Sequence, residues 1–68
     1  MSISYNRMWK LLIDKNMRMV DLRRSTSVAP NTMTKLRRNQ RVDMSVLERI
    51  CDVLDCSFGD IVEYIKDE

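Results

Sequence analysis

Apolar residues recur along this chain at three- and four-residue intervals, and nowhere at a sustained interval of two. From about residue 4 to residue 15, Tyr5, Met8, Trp9 and Leu12 share one side of a helical wheel while Arg7, Lys10 and Asp14 share the other. That spacing predicts an amphipathic helix whose aromatic residues pack inward. A second, shorter helix is predicted over Met19 to Thr26, with Val20 and Leu22 beside the pair Arg23-Arg24. Ser27-Val28-Ala29-Pro30 reads as a turn and a helix start, because proline's fixed φ and missing N–H cost nothing at the first helical position. Ala29 then falls at the cap and offers no side-chain acceptor; Ser27 would serve if the boundary shifted.

In this third helix Met33 and Leu36 face inward, and Asn31, Thr34, Lys35 and Arg38 are left on the outward face. Asn39 follows the last periodic residue, where asparagine can take the left-handed conformation that ends a helix. Asp43 is placed to cap a fourth helix, whose core stripe is Met44, Leu47, Ile50, Cys51 and Leu54. Ser57 with Asp60 resembles a capping box and opens a predicted fifth helix through Ile65. Gly59 in its first turn weakens it by about 1 kcal/mol relative to Ala. The expected fold class is all-α, with five short helices and no sheet.

A chain of 68 residues makes one domain, since at this size only about 60% of the unfolded surface can be buried. Apolar residues are 44% of it and charged ones 32%, with one Gly and one Pro, a composition that folds. The longest apolar run is Leu11-Leu12-Ile13, and no secretory leader is visible, so a cytoplasmic location is expected. Cys51 and Cys56 are the only thiols and there is no histidine, so the cysteines read as reduced, partly buried small hydrophobes rather than a metal site. No cofactor is expected. Nor is an enzyme: there is no Gly-rich phosphate loop, no base to activate a thiol and no paired carboxylates in an evident cleft.

Charge changes the picture. The net value is only +2, but residues 1 to 41 hold ten Lys/Arg against Asp14 and Asp21, for +8, while residues 42 to 68 are at −6. A basic half of that strength suggests a polyanion as partner, with the acidic half turned away from it. Attraction between the two halves within the fold is the alternative account of the same split.

Two short helices joined by a tight turn, the second polar outward and apolar inward, are the means by which a protein lays one helix in the DNA major groove. Residues 17 to 58, "MRMVDLRRSTSVAPNTMTKLRRNQRVDMSVLERICDVLDCSF", resemble the lambda-repressor-like helix-turn-helix family, the Cro and phage-repressor (XRE) type. Within it the chain is similar to small stand-alone regulators of Gram-positive bacteria, including the VanU type. The resemblance rests on Leu22, Val28, Met33 and Leu36, which match the apolar lock between the two helices, and on Leu47, Ile50 and Leu54 of the supporting helix. The helix-turn-helix would span about residues 19 to 38. There are three departures from the pattern. Arg23 stands where a small residue is usual and must snorkel past the third helix; Ser27 replaces a Gly; Met19 replaces a phosphate-anchoring Gln.

The resemblance implies a sequence-specific transcriptional regulator of double-stranded DNA that reads bases with Pro30, Asn31, Thr32, Thr34 and Lys35. The side-chain chemistry agrees in part. Asn31 can pair with the N6/N7 edge of adenine, Lys35 can donate to guanine, and the threonines offer a hydroxyl and a methyl. Arg37, Arg38, Gln40 and Arg41, with Arg18, Arg23 and Arg24, would meet phosphates beside the groove. One recognition helix reads too few base pairs for a genome, so a homodimer is expected. Phe58, Ile61, Val62, Tyr64 and Ile65 would supply its interface, or else close the core of each copy. The other function class is an antitoxin-like or adaptor module that uses the same fold to bind a polypeptide; an arm beyond the fold would favour it, and only Lys66 to Glu68 follow the last predicted helix.

Overall fold

The computed structural model describes residues 3–66 and contains four α-helices: α1 (Asn6–Asp14), α2 (Met19–Thr26), α3 (Pro30–Arg37) and α4 (Met44–Leu54). The predicted fifth helix is absent. The Asp60 carboxylate does accept the Ser57 backbone N–H at 2.9 Å, but only one 3-10 turn forms there, at Phe58–Asp60. Beyond it the chain extends into β2 (Glu63–Tyr64), which pairs antiparallel with β1 (Ile3–Ser4), Ile3 opposite Tyr64 and Ser4 opposite Glu63. Ile61 still belongs to the turn, with the Val62 N–H reaching the Phe58 carbonyl at 3.0 Å, and past it the β-branched Val62 and Ile65 on either side of β2 favour extended backbone over helix. A ladder of two residues per strand is too short to leave any periodicity in the sequence, which is why the apolar pattern predicts no sheet. The first helix accordingly starts later than predicted, with the Ser4 Oγ accepting the Asn6 N–H at 3.2 Å.

A single core gathers Tyr5, Met8 and Leu12 of the first helical segment, Leu22 of α2, Val28 of the turn, Met33 and Leu36 of α3, Leu47, Ile50 and Leu54 of α4, and Ile61. Trp9 packs half-buried against it. Met44 departs from the expected stripe and is 59% exposed. A helical side chain covers the turn N-terminal to its own Cα, and for the first residue of α4 that turn does not exist.

Among the described residues four connections pass through the left-handed region, and at none of them is the residue glycine: Asn16, Ser27, Asn39 and Asp55 have φ of 53°, 56°, 56° and 53°. At the end of α1 the N–H groups of Asn16 and Met17 reach the carbonyls of Ile13 and Leu12, the paired bonds of a Schellman motif. Arg7 of α1 fastens the last segment, its guanidinium donating to the Gly59 carbonyl at 3.0 Å and lying 3.5 Å from the Glu63 carboxylate. Among the described residues no helix is long and apolar enough to cross a membrane.

Candidate nucleic-acid interface

The site is built on α2, the turn after it, and α3. Arg18 is the N-cap of α2, and the Asp21 carboxylate accepts its backbone N–H at 3.0 Å and its Nε–H at 3.4 Å. The backbone bond, then the side-chain bond, hold the Asp21 carboxyl below its ordinary range. Leu22 and Thr26 are the buried face of α2, and Arg23 and Arg24 are exposed. Ser27 takes the left-handed conformation that its place in the turn demands, at φ 56° and ψ 31°. Ala29 is the N-cap of α3 without a side-chain bond, and Pro30 opens the helix.

Along α3 the division expected from the sequence is found: Met33 and Leu36 are buried, while Pro30, Asn31, Thr34 and Lys35 are exposed. Thr32 is half-buried, beside Lys35 in a hollow that Arg41, Val42, Asp43 and Val46 also line. The Thr34 hydroxyl donates to the Pro30 carbonyl at 3.2 Å. Arg23 is exposed and lines the cleft between α2 and α3 together with Pro30, Thr34 and Arg37.

Two features are not legible in the sequence. Arg37 Nε donates to Met19 Sδ at 2.9 Å, so the residue standing in place of the usual Gln holds an arginine of α3. A fixed loop succeeds α3, in which Asn39 N–H bonds to the Leu36 carbonyl at 3.3 Å and Gln40 N–H to the Lys35 carbonyl at 2.9 Å. These are again the two bonds of a Schellman motif, with Asn39 in the left-handed position. Tyr5 then ties this loop to the start of α1: its N–H donates to Asn39 Oδ1 at 3.0 Å and its phenol to the Gln40 carbonyl at 2.7 Å. Burial raises the Tyr5 phenol above its ordinary value, against the opposing effect of a Val42 backbone hydrogen bond. Apolar spacing marks Tyr5 as core, which it is, but carries no signal of what its polar end meets.

All the predicted phosphate ligands, Arg18, Arg23, Arg24, Arg37, Arg38, Gln40 and Arg41, are exposed and lie on α2, α3 or the segments that flank them. The predicted association patch divides. Ile61 is fully buried in the core and Val62 is half-buried, whereas Phe58, Tyr64 and Ile65 are exposed. Ile61 is therefore removed from that patch: it closes the core beside the 3-10 turn. Cys51 and Cys56 are free and half-buried; burial, and then the neighbouring Cys51, push the Cys56 thiol up to about 11.

A family model described as the Cro/C1-type helix-turn-helix DNA-binding domain matches residues 7–67. No match is found among curated proteins. Among solved structures, the crystal structure of the transcriptional regulator VanUg (form II) superposes with a TM-score of 0.94 at 44% sequence identity. The match covers 97% of this chain and 88% of that one. It agrees with the resemblance to VanU-type regulators drawn from the sequence.

Proposed function

The chain belongs to the Cro/C1-type helix-turn-helix DNA-binding family, and from that premise we propose that it is a sequence-specific transcriptional regulator of double-stranded DNA, acting in the cytoplasm. The observation that supports this most is the two-sided α3. Its apolar residues are sunk in the core, its short polar residues face outward, and exposed arginines flank it on both sides. In this reading α3 enters the major groove. Asn31 and Lys35 carry most of the base reading, Thr34 and Thr32 assist, and Pro30 makes apolar contact. Arg18, Arg23, Arg24, Arg37, Arg38, Gln40 and Arg41 meet phosphates and supply affinity without sequence information.

Specificity in a genome calls for two half-sites, and a homodimer provides them. Phe58, Tyr64 and Ile65 are exposed and Val62 is half-buried, and in this reading they take part in that association. The test is a fluorescence anisotropy titration of duplex from upstream of the protein's own gene against shuffled duplex, by the wild type and Asn31→Ala. The wild type should prefer the upstream duplex, and Asn31→Ala should lose roughly 1 to 3 kcal/mol of that preference. Equal preference in both proteins would remove Asn31 from base reading.

A further inference from the structure

We infer that Tyr5 is a positioning residue for the phosphate-facing loop: through Asn39 and Gln40 it sets where Arg38, Gln40 and Arg41 stand beside α3. The inference rests on the DNA-binding reading and deepens it. Residues 38 to 43 lie between α3 and α4 without a strand or helix of their own. Such a segment is ordinarily mobile, and charged side chains on it would have to be ordered anew for each phosphate contact. Here the loop is held from two sides. Its own turn ties Asn39 and Gln40 back to Leu36 and Lys35. Tyr5, from 34 and 35 residues away in the chain, takes the Asn39 side-chain oxygen and the Gln40 carbonyl.

The chemistry of the two bonds is suited to positioning. The phenol donates to a main-chain carbonyl, so it fixes the course of the backbone rather than the rotamer of one side chain. Tyr5 is 1% exposed and locked among core residues, so the anchor has little freedom to move with the loop. Arg38 precedes this anchored pair in the chain, Gln40 is part of it, and Arg41 comes after. Tyr5 itself is buried and would touch no phosphate; it acts through the loop.

The experiment titrates a duplex selected from random sequence by the wild type, over a range of salt concentrations, with wild type, Tyr5→Phe and Asn39→Gly. Melting curves are recorded in parallel. Asn39→Gly should bind about three- to tenfold more weakly, as expected for the loss of one hydrogen bond, and Tyr5→Phe, which gives up the Val42 backbone bond along with the one to Gln40, at least as weakly. The slope of log affinity against log salt should become shallower by about one to two, as one or two ionic contacts are lost. A smaller folded fraction lowers the active concentration but leaves that slope unchanged, so the slope separates positioning from stability. If Tyr5→Phe does not fold, Asn39→Gly decides, because glycine adopts a φ of 56° without strain while the acceptor is gone. Variants with the wild-type slope overturn the inference and leave the DNA-binding reading intact. A wild type that selects and binds no duplex overturns both.

Discussion

Arg37 Nε donates to Met19 Sδ across 2.9 Å, joining the last residue of the third helix to the first residue of the second. A thioether is a weak acceptor, but here it faces a charged donor at an exposed site. Met19→Leu keeps the shape and should change stability by less than about 1.5 kcal/mol, while releasing Arg37 from its orientation. We predict an affinity lower by about two- to fivefold for every sequence alike, with Met19→Gln recovering most of it, since an amide oxygen can accept the same N–H. Anisotropy titrations of the two variants against two unrelated duplexes, with thermal melts, check this. A loss confined to one duplex would instead point to a base contact.

Ser27 occupies the left-handed region at the centre of the turn between α2 and α3. A side chain there costs on the order of 1 kcal/mol that glycine does not incur. Ser27→Gly should therefore raise the melting temperature by about 4 to 8 °C for each kcal/mol regained. Calorimetry checks it, and a lower melting temperature would show that Ser27 makes a contact worth more than its strain.

The range of each interaction decides how far it is legible in the sequence. Helices α2, α3 and α4 are readable because Leu22, Met33, Leu36, Leu47, Ile50 and Leu54 repeat at helical spacing, and because Pro30 and Asn39 punctuate the third helix through local backbone preference. The end of the chain misleads because Ser57 and Asp60 give a true local signal that stops after one turn. The path of Glu63 and Tyr64 is decided instead by pairing with Ile3 and Ser4, some sixty residues away, which no local pattern encodes. The candidate site divides in the same way. Its exposed polar and cationic side chains are evident one residue at a time, but the bonds from Tyr5 and Met19 join distant elements and appear only once the chain is folded.

Acid should weaken the fold through Asp21. Its folded pKa lies below the ordinary value of 3.8, so the stabilisation is present above that value and is lost as pH falls through the lower, folded one. Asp21→Asn should flatten the acid limb of a stability–pH profile measured by denaturant titration. Tyr5 acts at the other extreme with the opposite sign. Its pKa is raised above the ordinary 10.0, so its stabilisation is intact below that value and is lost as pH rises through the folded one. Tyr5→Phe should remove that alkaline loss, and unchanged limbs in the two variants would contradict these assignments.

Whether the face carrying α2 and α3 meets DNA is decided by the salt dependence of binding to a duplex. Arg18, Arg23, Arg24, Arg37, Arg38 and Arg41 are exposed on or beside the two helices of the motif. Neutralising about six phosphates gives a log–log slope near −5 for the wild type, and Arg38→Ala should make it shallower by about 0.9 while weakening all sequences equally. A wild-type protein that binds no duplex, or whose affinity is indifferent to salt, would contradict the claim that this face meets DNA.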